Sequence, residues 1–450
     1  MIQMIKKIAQ KLGVDKSIAY SSGARVVQAF TGVASIFFIA RFLSGVEQGF
    51  YYTFGSIVAI QVFFELGLTG IITQYVAYEA AQLEWVDATH LRGERKYMSR
   101  LAHLVRFSAK WYAVISAILL VVLIGVGFVY FGLYAPSGST DVWLMPWVLL
   151  SAGTVLNLFM SPFQSVLMGL DKVKEISKIR FYQQIMIPLS TWLGLAVGFK
   201  LYVVGIASLL SAVYCFIFAY RTDLWPILKN LWKEEITEKV SYKKEIFPYQ
   251  WRIALSWVSG YFIFQLFTPV LFAYSGAVVA GQMGMTLAVL NGINAFSYSW
   301  INTKIPLFSK LIALKEYANL DRIFNKTMLQ MGLICVLLLG IMFVGVASLR
   351  FLNIPLGDRF LPGAPMLLLM AALLMNMLTS GFATYCRCHK KEPFLVQSIV
   401  VGGLCAMSTV VFGRLYGVDG MTIGYCGIIL VSLIWGYITY KTKKKDWHSI

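Results

Sequence analysis

Apolar positions run through this chain in long uninterrupted stretches, separated by short polar intervals. The stretches fall at about 18–40, 49–76, 108–133, 144–168, 181–199, 202–220, 252–274, 281–303, 327–349, 363–385, 394–413 and 420–440. Each is long enough to cross a bilayer as a helix, since about 18 or more apolar residues suffice. The pattern predicts an all-α polytopic membrane protein with about 12 transmembrane helices. Only Phe199-Lys200-Leu201 separates the fifth stretch from the sixth.

The longest polar interval, 221–251, divides the chain near its middle. Three weak internal matches fall at corresponding places on either side of it. SGVEQGFYYTFGSI at 44–57 matches SGAVVAGQMGMTLAV at 275–289 with one gap. SPFQSVLMGLDK at 161–172 matches SGFATYCRCHKK at 380–391 without a gap, and YVVGIA at 202–207 resembles YGVDGMT at 416–422. Three matches in register predict a duplication. The expected organisation is a six-helix bundle over 1–220, a cytoplasmic linker over 221–251 and a second six-helix bundle over 252–450. Halves with even span counts share an orientation, so the expected pseudo-symmetry axis lies along the membrane normal, with a central cavity between the halves.

Composition agrees with a membrane protein: the 450 residues are 58% hydrophobic and 13% charged, and the mean hydropathy is +0.70. A net charge of +18 would suggest nucleic acid in a soluble protein. Its placement says otherwise. The 39 Lys and Arg crowd onto alternate loops, and the opposite loops hold only Arg41, Lys200, Arg350, Arg359 and Arg414. This positive-inside bias predicts cytoplasmic termini and no nucleic-acid partner. MIQMIKKIAQKL at the start reads as a short amphipathic helix on the inner membrane surface. KTKKK at 441–445 reads as a basic cytoplasmic tail held by anionic membrane lipids. The six cysteines form no framework, and the C-x-C-H cluster of Cys386, Cys388 and His389 reads as reduced thiols at a turn rather than a metal site.

Several enzyme signatures are missing. The chain has no phosphate-binding glycine loop, no metal-enzyme spacing of His, Cys or Glu, and no large outer loop. No cofactor and no enzymatic activity are expected; the pattern suits moving something across the membrane.

Glu65 is the one acid placed well inside an expected span, and Arg25 is the equally interior base. A charge near the bilayer centre costs about 3 kcal/mol, so an idle one is unexpected. Arg25 lies about 10 Å from the inner end of its span and Glu65 about 16 Å from the inner end of the next, which makes them a candidate ion pair. Further polar residues recur at helical spacing. Arg252, Trp257, Tyr261 and Gln265 mark one face of the seventh span. Asn291, Asn294, Tyr298 and Asn302 mark one face of the eighth, with Lys304 at its inner end. Such stripes face protein or water rather than lipid, either as interhelical hydrogen bonds or as a hydrated cavity wall.

RFLSGVEQGFYYTFGSI at 41–57 with FFELGLTGIITQYVAYE at 63–79 resembles the first helical pair of bacterial polysaccharide flippases. YQWRIALSWVSGYF, SGAVVAGQMGMTLAV and PLFSKLIA resemble their seventh and eighth helices. That family lies within the multidrug/oligosaccharidyl-lipid/polysaccharide exporter superfamily. The resemblance implies two six-helix bundles forming a V around a central cavity. It also implies movement of an undecaprenyl-pyrophosphate-linked oligosaccharide from the cytoplasmic to the outer leaflet of the bacterial inner membrane, for O-antigen or related glycans. Polysaccharide polymerase and chain-length machinery would be its partners. The implied cavity residues are Arg25, Glu65, Arg252, Trp257, Tyr261, Gln265, Asn291, Asn294, Tyr298 and Lys304, with Glu65 the candidate for ion coupling. Three competing readings remain: a cation-coupled multidrug exporter of the same superfamily, a membrane-embedded glycan enzyme, and a non-transporting scaffold.

Overall fold

The computed structural model describes residues 31, 32, 34–389 and 391–448. The expected amphipathic helix over 1–12, most of the first span and Arg25 lie outside them. The described chain is helical apart from one small hairpin. In chain order the helices are α1 (Gly45–Val58), α2 (Val62–Glu65), α3 (Leu68–Ala80), α4 (Arg95–Tyr134), α5 (Thr140–Gly169), α6 (Val173–Val197), α7 (Tyr202–Arg221) and α8 (Leu224–Lys233). There follow α9 (Phe247–Phe264), α10 (Phe267–Ser275), α11 (Ala277–Asn302), α12 (Ile305–Ala313), α13 (Tyr317–Phe351), α14 (Gly363–Cys388) and α15 (Leu395–His448). The hairpin pairs β1 (Leu83–Trp85) with β2 (Leu91–Gly93), antiparallel, with Leu83 opposite Gly93. Its turn is tied by Asp87, whose carboxylate accepts from the Thr89 and His90 amides.

Seven described helices are long and apolar enough to cross a membrane, or eight if a bent pair counts as one span. The fold class read from the sequence is therefore observed: an all-α, multi-pass membrane protein. Two expected spans, now α6 and α11, are helical but fall below that apolar threshold, while the last two expected spans share α15. Gly417, at φ +61°, kinks α15 between them.

The chain divides into two compact units. One holds residues 60–257, and the other holds 39–59 with 258–450. Residues 39–59 had been expected in the N-terminal bundle; by their packing they go with the second unit.

In the first unit α5 is sandwiched by α4, α7 and α3. Trp147 of α5 is fully buried, and its indole N–H donates to the Leu123 carbonyl of α4 at 2.9 Å. Thr73 of α3 donates to the Ser165 carbonyl of α5 at 3.1 Å. The interval 221–251 is ordered onto this unit. Leu224, Ile227, Leu228 and Leu231 of α8 are buried, a spacing that puts them on one helical face. The chain beyond α8 then lies along α4. Ser99 accepts from the Thr237 and Glu238 amides at 2.7 and 2.8 Å, and Arg106 donates to the Glu234 carbonyl.

In the second unit the two stretches matched as repeats, 44–57 and 275–289, pack against each other as α1 and α11. A Cβ added at Gly49 would stand 2.0 Å from the Ala277 carbonyl oxygen, so the two backbones touch. Small residues at four-residue spacing (Gly45 and Gly49 facing Ala277 and Gly281) permit this approach, as in other membrane helix pairs. Gln48 locks the pair by donating to the Gly281 carbonyl at 2.8 Å. Ser44 and Glu47 close a reciprocal cap at the start of α1. Tyr298 of α11 donates to the Ser380 carbonyl of α14 at 3.0 Å and meets the Thr384 hydroxyl. Ser165 and Thr384, paired in the sequence match, each meet a neighbouring helix, Ser165 through its carbonyl and Thr384 through its hydroxyl.

The tail at 441–445 is a continuation of α15 rather than a free basic segment. Lys444 pairs with Asp321 at 2.8 Å, Lys443 with Asp446 at 3.1 Å, and Tyr385 donates to Asp321 at 2.9 Å. Cys386 is buried beside Ala383 and Phe394, under Phe382 and Trp447.

Candidate functional site

The second span is not one helix. After α1 comes a 3-10 turn, then the four residues of α2, then Leu66 and Gly67 in left-handed conformation at φ +48° and +70°. The Leu66 amide still bonds to the Val62 carbonyl at 3.0 Å, after which the helical ladder stops. The helical axis bends by 41° across this break. Gly67 is required here twice over. Its positive φ disfavours any side chain, and an added Cβ would lie 2.6 Å from Ile253 of α9. Trp257 follows one turn along and closes on the same break.

Glu65 is the last residue of α2, at the edge of this break. It is half-buried, and its carboxylate accepts the hydroxyl proton of Thr69 in the first turn of α3. A carboxylate just before a helix start is favoured by the unpaired amides and dipole there. Tyr112 of α4 is fully buried and lies close enough to Glu65 to sense its charge. The candidate partner Arg25 is outside the described residues, so the structure neither makes nor breaks that pair. Arg252 lies on the backbone of α9, one residue before Ile253, and its side chain is also outside the described set.

The seventh span breaks as well, between α9 and α10. Gln265 sits in the gap, with its amide on the Tyr261 carbonyl at 2.9 Å. The cause is Pro269, which has no N–H to give the Gln265 carbonyl and whose ring crowds it. Beyond the gap, Thr268 of α10 bonds to Ser56 of α1 at 2.6 Å, and the Tyr261 hydroxyl reaches the Ser56 carbonyl at 3.5 Å.

The remaining sequence candidates spread along α11 in the second unit. Asn291 is exposed and Asn294 half-buried. Tyr298 spends its hydroxyl on α14. Lys304 is exposed and precedes the short helix α12. The structure thus sets Trp257 against Gly67, two residues beyond Glu65, in the first unit, and Tyr261 and Gln265 at a break in the second. Sequence reasoning missed Thr69, Tyr112 and Ser161 around Glu65. Thr69 was legible as the i+4 neighbour of Glu65; Tyr112 and Ser161 come from other helices, and no local spacing points to them.

A second polar cluster, also missed, lies in the first turns of α4. Arg100 donates to Glu79 of α3 at 2.8 Å and to Glu245 of the linker at 2.7 Å. Burial raises the pKa of Glu245, but the Ser241 amide, then Arg100, outweigh it and hold the carboxyl below its ordinary range. The Tyr75 hydroxyl donates to the Glu245 carbonyl at 2.7 Å.

No protein-family model matches the chain, and no curated protein matches it. Solved structures do. An inward-facing multidrug resistance MATE family transporter of the MOP superfamily aligns over 93% of this chain and 99% of its own, at TM-score 0.57 and 12% identity. The lipid II flippase MurJ in an inward closed conformation aligns over 94% and 87%, at TM-score 0.59 and 13% identity. A MATE structure in complex with MaD5 aligns over 97% and 98%, at TM-score 0.52 and 14% identity. The chain shares its fold with these three structures. At these identities the likeness speaks for the fold, and MOP neighbours of both kinds, drug exporter and lipid flippase, share it.

Proposed function

We propose that this chain is a flippase for a lipid-linked oligosaccharide, working by alternating access in the bacterial inner membrane with both termini in the cytoplasm. The observation that carries this reading is the interrupted second span, with a half-buried carboxylate at its break, in a transporter fold that spans the chain. Interrupted helices place polar backbone and side chains at mid-membrane depth, where transported groups and coupling ions are handled. MurJ, named a lipid II flippase, has this fold, and the residues 41–57 and 63–79 resemble polysaccharide flippases.

In this mechanism inner-face cations, Arg252 and Lys304 with Arg25, attract the pyrophosphate. The glycan enters a hydrated cavity lined by Trp257, Tyr261, Gln265, Asn291, Asn294 and Tyr298, and the lipid tail stays in the bilayer. Glu65 couples the cycle to an ion. An undecaprenyl-pyrophosphate carrier fits, with O-antigen, capsule or related glycan assembly downstream and the polymerase and chain-length machinery as partners.

The test is flipping in liposomes. A lipid-linked oligosaccharide is placed in both leaflets, and an external glycan-cleaving probe reports access. Access rising from about half toward completion with the protein present is the expected result, since flipping feeds inner-leaflet substrate to the probe. No rise with the host's own lipid-linked glycan and with ion gradients of either sign would leave the drug-exporter reading. That reading has its own support in the multidrug MATE likeness.

A further inference from the structure

A cavity of about 140 Å³ lies within the first unit, where α5, α6 and α7 come together beneath α8. Phe163 and Leu167 of α5, Ile179 of α6, Cys215 and Ala219 of α7 and Leu228 of α8 wall it. Gln164 brings an amide, and its N–H donates to Cys215 Sγ at 3.2 Å. A buried water needs about two to four polar partners, and this lining offers few. Apolar cavities of about 150 Å³ stay dry and take a molecule the size of benzene. Along α5 the lining runs from Phe159 to Leu167, a depth of about 12 Å at about 1.5 Å per residue. A narrow apolar space running along a helix suits a hydrocarbon chain better than a compact molecule.

The cavity has a mouth. Phe216, 48% exposed, and Trp225, 37% exposed, are its two exposed lining residues, and their rings meet edge to face at 5.9 Å. Phe216 stands beside a stripe of α7, Leu210, Val213, Ile217 and Tyr220, that is exposed at helical spacing. An exposed apolar stripe on a membrane-spanning helix meets lipid.

The helix over the cavity supplies the charge. The buried face of α8, Leu224, Ile227, Leu228 and Leu231, holds it to the unit. Trp225, Lys229, Trp232 and Lys233 are exposed, and their spacing puts them on one other face. Trp and Lys together on the outer face of a short amphipathic helix suit the headgroup layer of a membrane. Across 221–233 the cations Arg221, Lys229 and Lys233 outnumber Asp223, so that face favours anions.

We infer that this cavity binds a segment of one acyl chain of an anionic phospholipid, taken from the leaflet at α8. The chain enters between Phe216 and Trp225, and the phosphate lies on Lys229 and Lys233. The chain supplies dispersion contacts to the lining, and the headgroup holds α8 down over it. The lipid thereby fastens the start of the linker to α5, α6 and α7.

The test needs no transport, so its outcome stands apart from that of the flipping assay. The full-length protein is placed in phosphatidylcholine nanodiscs with a small share of phosphatidylglycerol that carries a photoreactive diazirine in one acyl chain. After illumination, adducts are located by peptide mass spectrometry. Adducts on Phe163, Leu167, Cys215 or Leu228 are the expected result. Ala219→Leu, which fills the space, is expected to remove them. Lys229→Gln and Lys233→Gln are each expected to lower them about fivefold. Size exclusion reports whether the variants fold, and the two lysine variants, on the surface, keep the test decisive if Ala219→Leu does not. Adducts confined to Leu210, Val213, Ile217 and Tyr220, or cavity adducts unchanged in folded variants, mean ordinary surrounding lipid and overturn the site. Equal cavity labelling by a phosphatidylethanolamine probe overturns it, because the lysines then select nothing. Cavity adducts displaced by undecaprenyl phosphate but not by unlabelled phosphatidylglycerol also overturn it, because the space then takes a polyprenyl chain.

Discussion

Arg100 carries two carboxylates from two different parts of the chain. Its side chain is 20% exposed, and those of Glu79 and Glu245 are 7% and 32% exposed. Removing one member of a buried ion cluster leaves charge uncompensated, at a cost of about 3–5 kcal/mol. Arg100→Gln is therefore expected to lower the melting temperature of the purified protein strongly. Arg95→Gln breaks the pair with Glu235, whose side chains are 73% and 75% exposed, and is expected to cost about 0–1 kcal/mol. Equal effects would mean that the buried cluster does not hold the linker. The same cluster sets a pH dependence. The pKa of Glu245 is lower in the folded chain than in the unfolded one. Its stabilisation is thus complete above the ordinary carboxylate range, about 4.3, and is lost as pH falls through the lowered folded value. Hydrogen exchange at the Ser241–Glu245 backbone, taken as protection relative to the intrinsic rate at each pH, is expected to be strong at neutral pH and to be lost under acid. Glu245→Gln should lose the acid dependence.

At the scale of the element, the broken second span decides the argument. Its break rests on Gly67, where φ is +70° and Ile253 presses from α9. Gly67→Ala adds about 1–2 kcal/mol of backbone strain besides the contact. The expected outcome is a folded protein with a straighter span and severely reduced transport, read by liposome flipping beside a size-exclusion profile; full activity would show that the break is incidental. The sequence announced apolar length, and so the helices, with fair fidelity. It did not announce where helices stop inside the membrane. Leu66 sits between Glu65 and Gly67 in a largely apolar run, and the turn there packs at Gly67 against Ile253 of α9, nearly two hundred residues on. The break at Gln265 was more legible, since Pro269 removes its hydrogen bond. The hairpin at 83–93 and the docking of 234–246 escaped for a similar reason. The docked segment bonds to Ser99, Arg100 and Arg106, and Asn230 of α8 donates to Thr89 in the hairpin turn; no local pattern encodes these partners. In the site, Glu65 was visible because a lone acid among apolar residues is costly; Tyr112 was hidden because a tyrosine in a span usually serves packing.

At the scale of the whole molecule, orientation is what every functional statement depends on. The charge pattern puts the loops bearing Arg41, Lys200, Arg350, Arg359 and Arg414 outside. The same pattern puts the Glu79–Arg100–Glu245 cluster, α8 and the end of α15 inside. Single cysteines in a cysteine-free background can check this with an impermeant maleimide on intact cells. Ser137→Cys, in the exposed turn between α4 and α5, and Asn353→Cys, after α13, fall on opposite sides if the span count between them is odd, and on one side if it is even. Six expected helices beyond α4 lie between these positions, so both are expected to label from outside. Lys229→Cys on α8 and Thr442→Cys near the end of α15 are expected to label only after permeabilisation. Labelling of Asn353→Cys from inside would mean that α6 or α11, the two helices below the apolar threshold, does not cross. That would break the duplication, because the matched helix pairs α3–α5 and α11–α14 would no longer run in the same direction. With all four positions as expected, Glu65 lies in the inner half of the bilayer, on the side from which a lipid-linked glycan would be loaded.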